Sequence, residues 1–495
     1  MAVSDSDYEG SFQIPEPKGI WQAQGDTNTN VNYAYRAQNI RTELGLLASA
    51  YGTQEAFPSV GAPVETFTRF NRRNNPGAGP VYVAAAGGAI YTICPGETAW
   101  TRRGDGYQSN VWSYVTYETA RDGATADVLI LSNALDGMIA LYGDDLSIES
   151  KTLAIGEGYE NVKFAVLGRY AERIWGTGAK DQPDSLFYSR PYDPFNWTDV
   201  PETPEMGGGV IQQPTWDGDA FLSLQTFGGY LLAIKQNTVF EVRGTDPGSF
   251  TISQAYGTDG PVLGRSICVD RTSMLYLTRG DIGRYDGSTL RLLGKDALHE
   301  TMRMMDERSM QTAVSCMCNH VYHLALCVKE NPGDTIQENN AVIEYDTERG
   351  TFMLRKGVRV KAFYSVDGEV YYTDAQTPFT VRRYNAPGAP GYGDAIMRCR
   401  WETAWLDLGK RYMKRGFELR FTADADAHDF PLEMTVQTEK REKTRVVLLQ
   451  KDRRDYRVRF HLKGLRMKLS IESKLRLAGW RIYGGVEVRY TLDEA

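Results

Sequence analysis

FLSLQTFGGYLLAIKQNTVFEVRG, residues 221–244, decides the fold because it contains three short runs separated by two turns. Side chains in the runs 221–226 and 239–243 alternate between two faces, which is typical of strands. Gly228-Gly229 predicts the first turn, and Gln236-Asn237 predicts a second turn of two residues with positive φ. The segment therefore predicts an antiparallel meander, which needs similar neighbours to bury its faces.

Hairpins of the same kind recur before and after this segment. They begin near Val81, Asp127, Phe164, Arg271, Ala313 and Val360. Together with the 221–244 meander they make about seven units, each roughly as long as one four-stranded blade, which is typical of radial repetition. Helical periodicity is scarce outside residues 295–311. The sequence predicts an all-β fold with a β-propeller of about seven blades at residues 80–385.

The flanking regions differ from these repeats in composition. Residues 1–79 are rich in turn formers and predict an N-terminal extended arm and connector, with a short strand near Ile40 and a turn at Gly45. Residues 386–395 contain a Gly/Pro-rich stretch that predicts a linker. Residues 396–495 contain several strongly alternating runs, which predict a separate C-terminal β-sandwich domain.

Composition narrows the class of protein. The formal net charge of −7 argues against a protein that coats nucleic acid with its whole surface. The six cysteines are scattered, as expected for reduced thiols rather than a disulfide framework. No apolar run approaches the ~20 residues of a membrane-spanning helix, and the start MAVSDSDYEG lacks the pattern of a signal peptide. These features predict synthesis and assembly in the cytoplasm.

Four segments carry a family resemblance. LFYSRPYDPFNWTDV (186–200), following RIWGTGAKDQPDS, combines Tyr-Ser, Pro-x-Asp-Pro and Trp. AQNIRTELGLL (37–47) lies in the arm, and WETAWLDLGKRYMKRGFELRF (401–421) and GWRIYGGVEVRY (479–490) lie in the C-terminal region. In this order the segments resemble the packaged-DNA stabilisation proteins that form the tail hub, or nozzle, of short-tailed bacteriophages.

The resemblance implies a structural virion protein rather than an enzyme. Members of that family assemble as a ring, typically of six copies, below the portal and adaptor around the DNA exit channel. A tail needle or plug closes the ring, which helps to retain the packaged DNA. The resemblance implies no catalytic residue and no cofactor. It places the chain in the virion tail, after assembly in the host cytoplasm.

Two other classes of propeller remain open on the sequence. A carbohydrate- or receptor-binding protein of a phage baseplate or fibre would use exposed aromatic side chains. A propeller glycosidase would carry repeated Ser-x-Asp-x-Gly-x-x-Trp turns, and the nearest approach here, residues 189–197, lacks the glycine. The simpler interpretation of that stretch is a rigid aromatic turn, capped by Asp193, with Trp197 packed on a neighbouring blade.

Two segments contain candidate metal ligands. A turn at Asn319-His320 would place Cys316 opposite His323 and on the same face as Cys318, which gives three donors but no obvious fourth. Buried thiols beside a hydrogen-bonded histidine explain the same residues, so no metal site is predicted. Residues 424–429, DADAHD, begin like a calcium loop but lack its glycine and its terminal glutamate, which favours a solvated turn.

The C-terminal region contains the candidate interaction site. Residues 440–468 hold twelve Lys or Arg against three acids. Alternation predicts two strands joined at Lys463-Gly464, with one basic face made by the following residues: Arg457, Arg459, His461, Arg466 and Lys468.

That hairpin would place Arg459 opposite Lys468 and His461 opposite Arg466. Facing like charges cost roughly 0.2–1 kcal/mol per pair. The face is therefore a candidate contact for an acidic subunit or for DNA phosphates, with a neighbouring strand or solvent as the simpler alternative. On this register, replacing Arg459 and Lys468 by glutamate should leave the isolated fold near its original stability.

Overall fold

The computed structural model describes residues 8–23, 30–43, 45–75, 77–255, 262–271, 273–393, 395–475 and 478–492. Seven sets of four antiparallel strands follow one another, and the first strands of successive sets pack side by side. The last set packs against the first, which closes the ring. The protein is therefore a β-propeller of seven blades, as the sequence predicted.

Each blade runs from an inner to an outer strand. Blade 1 contains Val64–Phe70, Val81–Ala86, Ala89–Ile93 and Thr101–Asp105. Blade 2 contains Ser113–Arg121, Ala124–Asn133, Gly137–Tyr142 and Ile148–Lys151. Blade 3 contains Val166–Tyr170, Arg173–Thr177, Ser185–Tyr188 and Gly209–Gln212. Blade 4 contains Phe221–Phe227, Tyr230–Lys235, Val239–Arg243 and Thr251–Gln254.

Blade 5 contains Cys268–Asp270, Ser273–Thr278, Asp281–Tyr285 and Leu290–Leu292. Blade 6 contains Val314–Cys318, Val321–Leu326, Ala341–Asp346 and Thr351–Lys356. Blade 7 contains Val360–Val366, Glu369–Asp374, Val381–Arg383 and, as its outer strand, Gln54–Glu55. The helices lie between blades 5 and 6, at Gly294–Ala297 and His299–Arg303, with the 3-10 turn Glu307–Thr312 after them. Further 3-10 turns in the described part of the chain are Pro204–Met206 and Gly264–Ser266.

Blade 4 shows how glycine sets the turns. Gly228 and Gly229 both have positive φ, and Phe227 pairs with Tyr230, so this two-residue turn forms as predicted. Gln236 and Asn237 do not have positive φ. The amide of Lys235 donates to the carbonyl of Thr238 across these two residues, so the second turn lies where it was predicted, but its predicted type is wrong.

The N-terminal region closes the propeller, so the predicted start at residue 80 is wrong. Val64–Phe70 is the inner strand of blade 1, and Gln54–Glu55 completes blade 7 by pairing with Val381–Arg383. The hydroxyl of Tyr364 donates to the carbonyl of Val64. Arg69 also forms an ion pair with Asp367 across the same junction. A strand from the N-terminal region thus completes the last blade. Sequence spacing alone could not indicate this pairing.

A β-sandwich lies beside blade 6. We call its two layers the front sheet and the back sheet. The front sheet contains Ile40–Glu43, Leu46–Ser49, Trp480–Leu492, Lys414–Ala425 and Arg454–Gly464, with Gly10–Ile14 also paired to Trp480–Leu492. The back sheet contains Arg36–Gln38, Met397–Glu402, Met467–Leu475, Phe430–Thr438 and Glu442–Leu449. Buried Trp401 and Trp480 lie in the core shared by the two sheets.

The sandwich is not separate from the propeller. Gln38 pairs in parallel with Leu354 of blade 6, so blade 6 and the back sheet form one nine-stranded sheet. The predicted linker is also fixed to the arm, because the amides of Gly52 and Thr53 donate hydrogen bonds to the carbonyls of Ala389 and Gly391. The arm, predicted as an extended segment, therefore supplies strands to both parts and joins them.

No helix in the described part of the chain is long and apolar enough to cross a membrane.

A histidine contact between blades 5 and 6 should make stability depend on pH. His320 Nδ1 lies 3.1 Å from both carboxylate oxygens of Asp270, and its Nε2 lies 3.8 Å from Glu348. The hydrogen bond and charge of Asp270 raise the pKa of His320, against smaller opposing effects of desolvation and of Arg271. The contact should therefore be fully stabilising below about pH 6.5 and be lost as pH rises through the raised pKa.

The test compares the wild type with His320→Asn, because asparagine tolerates the positive φ of this turn. The thermal midpoint of the wild type relative to the variant should fall between about pH 6 and about pH 8. An equal difference at both pH values would exclude a charged His320–Asp270 contact.

Candidate functional site

The predicted basic hairpin does not form. Arg454–Gly464 pairs with Lys414–Ala425 in the front sheet, whereas Met467–Leu475 pairs with Met397–Glu402 and Phe430–Thr438 in the back sheet. The chain crosses from one layer of the sandwich to the other at residues 465–466. The predicted register is wrong because Lys463-Gly464 ends a strand at a sheet crossing rather than closing a hairpin.

The alternation predicted for the first of these strands, Arg454–Gly464, is nevertheless confirmed. Val458, Phe460 and Leu462 are buried, whereas Arg457 and His461 are exposed. What changes is the residue opposite each cation. Arg459 faces Glu418, and Arg457 faces Arg420.

Lys468 lies on the outer side of the back sheet, where its Nζ is 2.5 Å from Glu402. Arg466 lies 3.8 Å from Glu439. Arg459 and Lys468 therefore already have acidic partners in their own chain. The predicted pairs of facing like charges, Arg459 with Lys468 and His461 with Arg466, do not form.

Two of the five predicted residues, Arg459 and His461, line a basic pocket of about 670 Å³. It lies at one end of the sandwich. Its other basic residues are Arg415 and Lys463 of the front sheet, and Lys440 and Arg441 from the turn that joins two strands of the back sheet. The remaining lining residues are Tyr8, Gly416, Phe417, Phe460, Leu462 and Thr491.

A buried carboxylate fixes one wall of this basic pocket. Glu418 is fully buried and accepts hydrogen bonds from Arg459 Nε (2.6 Å), Arg420 Nε (2.5 Å) and the hydroxyl of Tyr8 (3.1 Å). Burial acts to raise the pKa of Glu418, but these three donors outweigh it and lower the pKa. Glu418 therefore stays ionised and holds Arg459 in a defined position.

The sequence did not indicate Arg415, Lys440, Arg441 and Lys463 as parts of one site, because the walls of the basic pocket come from distant segments. Gly416 has positive φ and lies at a break in the register between Arg415 and Phe417, which marks a β-bulge. Bulges of this kind re-aim neighbouring side chains. The adjacent cations Lys440 and Arg441 were a visible signal, but only the pairing of the sheets brings them close to His461.

The cysteine–histidine cluster is a buried part of blade 6. Cys316 pairs with His323, and Asn319 and His320 both have positive φ, so the predicted turn and register are confirmed. Burial raises the pKa of Cys316 and lowers that of His323. The described residues contain no group of three His, Cys, Asp or Glu side chains that could hold a metal ion.

Residues 426–429 form the solvated turn that was predicted, and Asp424 and Asp426 have a structural role as well. Asp424 is buried and accepts hydrogen bonds from Arg481 Nε (2.6 Å) and the hydroxyl of Tyr483 (2.7 Å). Asp426 accepts from the amide of Gly479 at 3.0 Å and from the same arginine. These acids tie two strands of the front sheet together.

The Pro-Tyr-Asp-Pro-Phe-Asn-Trp stretch forms the rigid aromatic turn that was predicted. The carboxylate of Asp193 accepts from the amide of Phe195, and the Trp197 indole donates to the carbonyl of Pro194 at 3.1 Å. Trp197 is fully buried in a cluster shared by blades 2 and 3. This arrangement explains the motif by packing alone.

Comparison with known proteins finds likeness of fold only. No family model and no curated protein sequence matches the chain. Among solved structures, YCF48 from Cyanidioschyzon merolae is 10% identical, with 68% of this chain and 98% of that chain covered and a TM-score of 0.39. The Neurospora crassa Pan2 WD40 domain is 12% identical over 69% and 97%, with a TM-score of 0.34. A chain of the mitotic checkpoint complex is 11% identical over 62% and 86%, with a TM-score of 0.37.

Proposed function

We propose that the protein is a structural component of a bacteriophage tail, which forms the hub or nozzle ring below the portal and adaptor. In this role it lines the DNA exit channel and helps to retain packaged DNA. Its partners are further copies of itself, six in the ring as in that family, the head–tail adaptor and a tail needle or plug. The proposal includes no catalytic step and no cofactor.

One observation carries the proposal. The three segments outside the propeller that resemble tail-hub proteins are neighbours in the fold: Ala37 pairs with Trp401, and Leu47 pairs with Ile482. The arm and the C-terminal region thus form one sandwich, and the resembling segments belong to one structural unit rather than to scattered places. The continuous sheet that joins this unit to blade 6 suits a protein that bears load in a ring.

A map of the virion by electron microscopy tests the proposal. The expected result is a closed ring of this chain, six copies in the simplest case, at the exit of the DNA channel. One or two copies per virion, or a position at a fibre tip, would reject it.

A receptor-binding propeller is the second candidate, because some aromatic side chains are exposed. Tyr192 is 68% exposed and Tyr412 is 66% exposed. Aromatic rings bind sugars by stacking against them. This alternative therefore predicts glycan binding that Tyr192→Phe weakens little, because the ring is kept, and that a substitution removing the Tyr192 ring abolishes. Absence of binding to host surface glycans, together with a hub position in the virion, would exclude it.

A further inference from the structure

Trp216 is the most exposed large apolar side chain in the described part of the chain. It is 98% exposed and lies in the connection between blades 3 and 4, within the sequence TWDGD. Exposed tryptophans are unusual on a free surface but are enriched at the centres of protein interfaces. This position is a candidate anchor for a protein contact.

The turn around Trp216 is held by hydrogen bonds rather than left loose. The amide and side chain of Asn237 donate to Asp219 at 2.8 and 2.9 Å, and Asn237 Nδ2 also lies 3.3 Å from Asp217. The amide of Gly218 donates to the carbonyl of Thr215. A preorganised turn loses little conformational entropy on binding, so it presents the indole and two carboxylates as a fixed unit.

The basic pocket of the sandwich has the complementary chemistry. Its cations include Lys440 and Arg441, which make no ion pair within the residues that the structure describes. Arg and Lys bind the face of an indole through cation–π attraction and bind carboxylates through charge-assisted hydrogen bonds. A pocket of about 670 Å³ has the size of sites that enclose a ligand larger than one aromatic ring.

Charge along the chain favours a second copy as the occupant. Residues 440–468 carry twelve basic residues against three acids, which leaves 44 Lys and Arg against 60 Asp and Glu in the rest of the chain. One region of each copy is therefore strongly basic and the remainder is acidic. Complementary charge of this kind steers association and fixes orientation.

The positions of the two features favour contact between copies. Trp216 follows blade 3, whereas the sandwich continues the sheet of blade 6. Blades 3 and 4 are separated from blade 6 by blade 5 on one side and by blades 7, 1 and 2 on the other. Trp216 does not line the basic pocket of its own chain.

We infer that the Trp216 turn of one copy docks into the basic pocket of the next copy, with the indole against Lys440 and Arg441 and with Asp217 facing the cations. The contact joins two different surfaces, so it is head-to-tail and repeats around a ring. The inference deepens the ring-forming part of the proposed function.

Sedimentation velocity of the purified full chain, up to millimolar concentration, tests the contact. The wild type should associate, and Trp216→Ala should weaken association about tenfold or more, as expected for an interface anchor. Lys440→Glu with Arg441→Glu should weaken it to a similar extent. An equimolar mixture of the two variants should form dimers and nothing larger, because each retains one intact surface.

Two matched variants control for general effects. Tyr412→Ala removes another exposed aromatic ring, and Lys410→Glu with Arg411→Glu makes the same change of charge at an exposed pair in the same sandwich. Both should associate as the wild type does. A wild type that stays monomeric, or a Trp216→Ala variant that associates normally, overturns the inference. A virion map that shows the hub ring with a different contact would overturn the inference alone and leave the proposed function in place.

Discussion

Replacing Lys468 by glutamate should destabilise the fold by about 3 kcal/mol, because the new carboxylate would face a buried acid. Lys468 is largely buried, with its Nζ 2.5 Å from Glu402 and 4.6 Å from the centre of the Tyr35 ring. Glu402 is also buried and keeps Arg400, at 2.6 Å, as a second partner. The estimate therefore lies at the lower end of the range for broken buried pairs.

The measurement is the shift in the urea midpoint of unfolding at unchanged slope. Lys474→Glu is the matched control, because Lys474 lies exposed on the same strand, opposite Arg398. It should shift the midpoint little. Lys468→Met separates the two causes: it removes the ion pair without adding a carboxylate, so it should cost less than Lys468→Glu. Equal midpoints for Lys468→Glu and Lys474→Glu would contradict the buried pair.

This expected loss of stability is the opposite of the expectation from the sequence alone, in which replacing Arg459 and Lys468 by glutamate leaves the stability of the fold nearly unchanged. Alternation correctly separated buried Val458 and Phe460 from the basic side chains between them. Period-two patterning fixes which face is buried, but it does not determine which strand lies alongside. The hairpin between residues 456 and 472 was the shortest connection available, and the chain instead crosses between the two sheets. Replacing Arg459 by glutamate should also destabilise the fold, since it faces buried Glu418.

The propeller could be predicted because its signals are local. The turn at Gly228-Gly229 and the strands around it lie within one short segment, and the same pattern recurs in the other blades. The closing strand Gln54–Glu55 contains two residues and pairs with a strand more than three hundred positions later. Such a strand has no periodicity to detect. The walls of the basic pocket also come from distant segments, so composition indicated its charge but not its shape.

A second large effect is expected at Asn39, which joins the arm to three other parts of the fold. Its Nδ2 donates to the carbonyls of Lys356 (3.0 Å) and Arg398 (2.7 Å). Its Oδ1 accepts from the amide of Lys356 (3.0 Å) and from the hydroxyl of Tyr392 (2.7 Å). Blade 6, the back sheet and the segment predicted as a linker therefore meet at one fully buried side chain.

Asn39→Ala should lower the free energy of unfolding by about 4 kcal/mol, because it leaves several buried polar groups without partners. Asn39 also has φ of 54°, a conformation that asparagine tolerates better than alanine. Asn161 supplies the control for that smaller effect, since it has φ of 62° and is exposed. Asn161→Ala should cost about 1 kcal/mol or less.

Asn39→Gly distinguishes the two causes at the same position. Glycine accepts positive φ without strain but makes no side-chain hydrogen bond, so it should be nearly as destabilising as alanine. Denaturant unfolding of the three variants gives the energies, and hydrogen exchange at the Lys356 amide reports the lost bond directly. If Asn39→Gly were as stable as the wild type, the role of Asn39 would be conformational only. If hydrogen exchange in the Asn39 variants rises in both blade 6 and the back sheet, the arm couples the unfolding of the propeller to that of the sandwich.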